Sequence, residues 1–371
     1  MLKIDCTYFK GDRPCNFHKA EGIKCDECNH YKPIKNKILI IKLDAIGDVL
    51  RTTSVLPPLR KKYPDSYITW CTKSNAMQLF TNNDFVDEVV TIEDDALFRI
   101  NAEEYDVVIN LDTSKISSSI AAAANGKNKI GFVLNKKGYV EATSKAAKKW
   151  LEMGAFDDLK KENKLTYQEI MYEILELDKS KIAQPILKLS TSDLEKGNSL
   201  AKKWKINKKR TTVGLNVGVG TKWPSKGWLA KRWEELIETL VSNNYHLLLL
   251  GGPDEEGLMT QLCKKYKFLV NTGYDNSLLK FAAIVNICDI LITADTLALH
   301  IGNSLQKKIV ALFGPTSESE IYLYGKGIKI LSPVECKCYY KQECTESESC
   351  MEMISAKMVN EAINTLMNNN G

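Results

Sequence analysis

The sequence predicts an α/β protein built from two successive parallel-sheet halves with a cleft between them, preceded by a cysteine-rich extension. Three observations carry this reading. Apolar runs of strand length alternate with helix-length segments over residues 37–135, and the alternation restarts over residues 191–333. The 371 residues suit two domains of ordinary size. Residues 1–36 lack the alternation and concentrate cysteine. The chain is thereby divided into an extension at 1–36, an N-terminal domain at 37–190 and a C-terminal domain at 191–371.

A hydrophobic content of 44% and a charged content of 26% fit a soluble globular chain. The net charge of +5 suits an acidic partner or an anionic membrane surface and does not demand nucleic acid. No apolar run approaches the roughly 18 residues of a membrane span, and the N-terminus lacks the apolar core of a signal peptide. The expected compartment is the cytoplasm. Eleven cysteines are many for a reducing compartment, which turns the expectation for clustered ones from disulfides toward metal ligands.

The extension holds Cys6, Cys15, Cys25 and Cys28, with His18 and His30 nearby. Cys25 and Cys28 form a CxxC pair. So short a segment cannot order itself by burying a core, and a metal crosslink is the usual remedy. Four thiolates would complete a tetrahedral zinc or iron site. Disulfides, or thiols without a ligand on a docked loop, are the alternatives.

The first half opens at residues 37–53, where Ile38–Ile41 is an apolar run fit for a strand covered on both faces. The run ends in polar Lys42 and Asp44. Gly47 is expected to supply the turn, and Asp48 to stand where the next helix begins, a place that usually favours phosphate. A plain helix cap is the other role open to Asp48. Strands follow at 67–71, 86–92, 105–111 and 129–133, with helices at 48–62 and 117–124. Residues 136–190 interrupt the pattern with a lysine-rich stretch, read as a solvated surface or an anionic-acceptor site, and an amphipathic helix at 166–177. The second half brings a helix at 192–203 and strands at 212–217, 246–251, 268–270, 290–293, 308–313 and 328–331. Cys336, Cys338, Cys344 and Cys350 form a second cluster before a closing helix at 351–367. That cluster would bind its own metal or share one with the first. Cys71, Cys263 and Cys288 read as buried small hydrophobes.

Three strand ends in the second half carry polar residues that packing does not ask for. VGVGTKWPSKGW (217–228) offers glycines for close backbone approach, with Thr221 and Lys222 suited to phosphate oxygens. It is not a Walker motif, and a glycine loop with a surface lysine is the alternative. LGGPDEE (250–256) places Glu255 or Glu256 to accept from ribose hydroxyls or simply to favour a helix dipole. ITADTLALH (292–300) repeats the strand, acid and helix start, so N–H groups near Thr296 and Leu297 would face a diphosphate, with Asp295 as a cap. His300 lies about a turn further on, where a packed histidine is the plainer role. The single glycine after the opening strand and the missing GxGxxG argue against a nicotinamide- or flavin-dependent oxidoreductase.

At these residues the chain resembles glycosyltransferase family 9, the bacterial heptosyltransferases. The matching stretches are IKLDAIGDVLRTT, GTKWPSKGW, ADTLALHIGNSL and VALFGPTSESE, in family order, and the resemblance covers about residues 37–333. The tail ECKCYYKQEC…CM looks like one found in a subset of the family. The resemblance implies a GT-B fold of two Rossmann-like domains and a metal-independent, inverting transfer from a nucleotide-sugar, typically ADP-heptose. It implies a lipopolysaccharide-type glycan or glycolipid acceptor and peripheral contact with the inner membrane. A protein acceptor, with an iron held by cysteines, is the variant some family members present. Asp48 matches the proposed general base, and Lys222 the lysine that neutralises donor phosphates. Asp295, Thr296 and His300 match the donor-site motif, and Glu255 an acidic nucleotide contact. Leu297 stands where glycine is usual, which would narrow the diphosphate site or change the donor. In this reading no cofactor serves catalysis, and any zinc or iron is structural. The rival from another class is a metal-bound interaction module without catalysis.

Overall fold

In a computed structural model, which describes residues 1–43, 45–93 and 96–368, the chain forms two compact units. One joins Met1–Asp44, Val55–Glu152 and Ile170–Ala183; the other joins Ala45–Ser54, Met153–Glu169 and Gln184–Gly371. Ala45–Ser54, Met153–Glu169 and the residues from Gln184 up to the expected boundary at 190 thus group with the second unit. Asp44, placed by the sequence at the end of the opening strand, lies outside the described residues, as do Asn369–Gly371.

The first unit carries strands β1 (Asn36–Ile41), β2 (Ser66–Thr72), β3 (Glu88–Thr91), β4 (Glu104–Asn110), β5 (Asn125–Leu134) and β6 (Val140–Ala142). They order as β3-β2-β1-β4-β5-β6, parallel except for the antiparallel β5–β6 pair. Ile38, Leu39, Ile40 and Ile41 are fully buried, as a doubly covered central strand requires. Burial of each such side chain contributes about 1.5–3 kcal/mol. At the carboxyl end of β1, Lys42 forms a buried ion pair with Asp112, whose other oxygen accepts from the Leu43 N–H at 2.5 Å. The short β6 was not predictable from alternation, because three residues are too few to show a period.

The second unit carries β7 (Thr212–Asn216), β8 (His246–Leu250), β9 (Val270–Asn271), β10 (Ile290–Ala294), β11 (Lys308–Phe313) and β12 (Gly327–Leu331). The sheet is all parallel, in the order β12-β11-β10-β7-β8-β9. Its core runs from Val213 and Leu215 through Trp233 and Leu249 to Ile354, Val359 and Ile363 of the tail. Two parallel-sheet α/β units of this kind are the Rossmann-like pair that the alternation predicts.

Several expected elements change on closer view. The helix expected at 48–62 is two helices, Ile46–Thr52 and Leu56–Lys62, joined by a turn at Thr53–Val55. Pro57 and Pro58 cause the break: they lack an N–H and clash with the preceding turn, so they fit only at a helix start. The helix expected at 192–203 runs from Thr191 to Lys203 and opens with a capping box between Ser190 and Asp193. The closing helix is Ala356–Asn368.

The extension contains one short helix, Asn16–Glu21, a turn at Cys25–Glu27 and a bridge between Cys6 and Pro33. None of residues 1–36 is buried, as expected of a segment too small for a core.

Candidate active site

The site is built at the carboxyl ends of the second unit's central strands, with the helix Ile46–Thr52 lying against it. Gly47 was expected to make a turn; it sits instead inside that helix. Its missing side chain serves close approach, since a Cβ there would lie 2.8 Å from His300 Cδ2 and 3.6 Å from Leu297 Cα. The helix Ile46–Thr52 can therefore rest on the helix Leu297–Ser304, which follows β10.

Asp48 stands at the third position of its helix. Oδ2 accepts from the Ala45 N–H at 3.3 Å, which is the reach-back of a helix cap. Oδ1 lies 2.8 Å from Arg51 Nη2. The carboxylate thus caps the helix and pairs with a guanidinium, while 37% of the side chain stays open.

After β10, Asp295 faces Lys226 and not Lys222. Lys226 Nζ lies 3.2 Å from Asp295 Oδ2 and 3.0 Å from its carbonyl oxygen. Burial pushes the Asp295 carboxyl up, but Lys226, His300 and Arg51 outweigh it and hold the group below the ordinary carboxylate range. His300 Nε2 is 4.0 Å from Asp295 Oδ1, too far for a hydrogen bond. Burial, aided by Arg51, pulls His300 down to about 4, so the imidazole is neutral at neutral pH.

Thr296 is the N-cap of the helix Leu297–Ser304, and its side chain makes no cap bond. Its hydroxyl instead meets Thr293 Oγ1 at 3.0 Å and the Asn216 amide at 3.3 Å. Asn216, at the end of β7, also donates to Gly218 O at 3.0 Å. One amide therefore ties the glycine loop after β7 to the helix start after β10. Leu297 is half-buried in the first turn.

Glu255 is committed to the same loop. Its Oε1 accepts from the Val219 and Gly220 N–H groups, each at 3.1 Å, and Oε2 from Gly252 N–H at 2.9 Å. Thr221 and Lys222 lie on the exposed part of the loop. The structure thus gathers Asp48, Asp295, Thr296, Leu297 and His300 and leaves Thr221 and Lys222 outside the group.

Sequence reasoning missed Lys226, Arg51 and Glu320. The signal for Lys226 was its place two residues before Trp228, which is buried and donates Nε1–H to Ile354 O at 2.9 Å. Arg51 was legible from its three-residue spacing after Asp48 on one helix. Glu320 reaches the site from the loop after β11, and no local pattern announces it.

The tail holds the loops that carry these groups. Ser225 donates its N–H to Gln342 O at 3.1 Å and its hydroxyl to Lys341 O at 2.7 Å. Tyr340 donates its N–H to Pro315 O at 2.8 Å. A Cβ on Gly314 would lie 2.6 Å from Cys350 Sγ.

Within the tail, Cys338 is hydrogen-bonded to Cys344, and Cys336 to Cys350. The Cys344 bond and the Thr345 N–H, 3.4 Å from Sγ, hold the Cys338 thiol below its ordinary range. Burial, then the Cys336 bond, pushes Cys350 up to about 12. In the extension, Cys6, Cys15, Cys25 and Cys28 line one cavity of about 430 Å³ together with His18 and His30. All eight are free thiols. Among the described residues, no group of three or more His, Cys, Asp or Glu side chains is arranged to hold a metal ion.

Known proteins resemble this chain in sequence and in fold. The lipooligosaccharide heptosyltransferase 2 of Haemophilus influenzae is 22% identical over 304 residues, spanning 76% of this chain and 84% of that one. The crystal structure of a family 9 glycosyltransferase from Veillonella parvula superposes with a TM-score of 0.74 at 20% identity, covering 91% of this chain and 98% of the other. The E. coli ADP-heptose lps heptosyltransferase II superposes at 0.66 and 20% identity, covering 90% and 98%. At those identities the structures speak for the shared two-domain fold. The model of glycosyltransferase family 9 (heptosyltransferase) matches residues 97–352, well over half of the chain. The chain belongs to glycosyltransferase family 9, and it is a glycosyltransferase.

Proposed function

We propose that this enzyme transfers a heptose, with inversion, from ADP-heptose to a hydroxyl of a lipopolysaccharide-type glycan. The observation that carries the reading is the packing of Gly47 on His300, which brings the Asp48 helix against the helix that follows Asp295. The likeness to a heptosyltransferase named for ADP-heptose supports the donor. The likeness to a lipooligosaccharide heptosyltransferase supports the acceptor class.

In this mechanism Asp48 takes the proton of the acceptor hydroxyl as its oxygen attacks the anomeric carbon. The bond from that carbon to the diphosphate oxygen breaks, and the electron pair leaves with the diphosphate. The helix N-terminus at Thr296 supplies N–H groups to the departing charge. Lys226 is the cation for that diphosphate, because it is held beside the helix start while Lys222 is exposed. Asp295 fixes Lys226, and Glu255 fixes the loop that bears it by taking up the loop's own N–H groups. Neutral His300 packs beneath Gly47 as a spacer and does not serve as the base.

The cysteines serve structure in this reading. The four tail thiols would accept zinc or iron if drawn into a cage, and elemental analysis of protein purified without oxygen tests this. No helix among the described residues is long and apolar enough to cross a membrane. We place the reaction at the cytoplasmic face of the inner membrane, where a glycolipid acceptor would be met.

A panel of nucleotide-sugars, read by mass spectrometry for transfer or hydrolysis, tests the donor. ADP-heptose should be consumed fastest. Turnover of a UDP-hexose alone would overturn the donor assignment.

A further inference from the structure

Arg51 lies between two carboxylates. Its Nη2 is 2.8 Å from Asp48 Oδ1 and 3.9 Å from Glu320 Oε2. The guanidinium stacks 3.8 Å over the ring of Tyr167, and its side chain is 11% exposed. Tyr167 is fixed at both ends: its hydroxyl meets Thr52 Oγ1 at 2.6 Å, and its N–H donates to Glu320 O at 3.0 Å. Thr52 in turn donates to Asp48 O at 2.6 Å. The stack fixes the plane of the guanidinium, and its division between the two carboxylates is set within that plane, nearer Asp48 than Glu320.

Glu320 has no role in the mechanism above, yet it is buried at 5% exposure, where an unneeded carboxylate is costly. Its Oε1 and Arg51 Nε have no hydrogen-bond partner. Lys160 Nζ, 3.9 Å from Oε1, is the second cation near it. Burial pushes the Glu320 carboxyl up, against the pull of Arg51 and Lys160.

We propose that Glu320 and Arg51 are a positioning pair for Asp48, in which Glu320 holds back the guanidinium so that the Asp48 carboxylate stays basic enough to accept a proton. A guanidinium given wholly to Asp48 would make it a weaker base. When Asp48 takes the acceptor's proton, Arg51 keeps Glu320 as its counterion, so no buried cation is left unpaired. His300 faces the pair from the helix after β10 and Asp295 from just before that helix, with Lys226 behind Asp295; Lys160 and Tyr167 face it from the segment 153–169, and Tyr340 from the tail. The functional consequence rests on Asp48 being the base; the electrostatic claim does not.

The test is the titration of Asp48 in the ligand-free protein, taken as the carboxyl ¹³C signal lost in Asp48→Asn. Glu320→Gln should lower that titration by about half a pH unit or more, and Arg51→Gln should raise it by about one unit. Glu320→Asp, which keeps the charge, should restore most of the loss. In the Arg51→Gln background the Glu320→Gln shift should shrink to less than half, because Glu320 acts through the guanidinium. An unchanged titration in Glu320→Gln, or an equal shift without Arg51, would overturn the proposal. If Glu320→Gln does not fold, the Glu320→Asp and Arg51→Gln arms still decide it: a titration unmoved in Arg51→Gln defeats it. ADP-heptose turnover in Asp48→Asn is a separate readout, so loss of the base assignment leaves the pair's effect measurable on its own.

Discussion

Lys226 Nζ lies 3.2 Å from Asp295 Oδ2 and 3.0 Å from Asp295 O, so one ammonium spans the side chain and backbone of the residue that precedes the helix N-cap Thr296. This pairing sets the charge of the proposed diphosphate site before any donor arrives. It also means that the two lysines of the loop after β7 should behave differently.

Lys226→Ala should weaken ADP binding about tenfold or more, the scale of a lost hydrogen bond to a charged group. Lys222→Ala should change it less than threefold. Isothermal titration with ADP measures both, and a reversal of the order would return the diphosphate to Lys222.

Asp48→Asn should lose about 10²–10⁴-fold in turnover, the usual worth of a general base. ADP affinity should hold, since the amide keeps the shape of the side chain. Single-turnover kinetics with ADP-heptose separate the two effects. A near-normal rate would remove Asp48 from the chemistry.

Gly47→Ala should destabilise the second unit by about 1–3 kcal/mol, as overpacking does in a closed interior. The added methyl would meet His300 Cδ2 at 2.8 Å. Urea denaturation reads the loss. Gly47→Ala combined with His300→Ala should recover part of it, whereas a backbone effect of the methyl would not be relieved.

His300 gives the second unit a pH dependence. Its pKa falls from 6.5 unfolded to about 4 folded, so the unfolded chain binds the extra proton in that window. Stability from this group is therefore full above pH 6.5 and is lost as pH falls toward 4. Asp295, held below its ordinary range, adds a loss of the same sign at lower pH. Denaturation midpoints measured from pH 7 to pH 5 should fall, and His300→Gln should flatten that slope.

Much of this was legible in the sequence because it was local. The Ile38–Ile41 run announces a buried strand, and Asp295-Thr296 before an apolar helix announces an N-terminus. Gly47 was visible as special, but its reason was not: the neighbour that forbids a Cβ is His300, more than 250 residues away. Lys222 and Lys226 lie four residues apart on one loop, and only the fold shows which of them meets Asp295. Glu320 was invisible, since a buried carboxylate is defined by the cation it meets. The cysteine spacings told of clustering but not of partners: the tail pairs Cys336 with Cys350 and Cys338 with Cys344.

The tail's grip on Ser225 and Pro315 makes three distant stretches a single inheritance. Donor preference cannot be transplanted between relatives by exchanging the loop of Lys226 alone, because that loop's Ser225 gives its N–H to the carbonyl of Gln342 and its hydroxyl to that of Lys341. A chimera that moves residues 217–228, 314–320 and 334–354 together should fold; one that moves the first stretch alone should strand Ser225 without its acceptors.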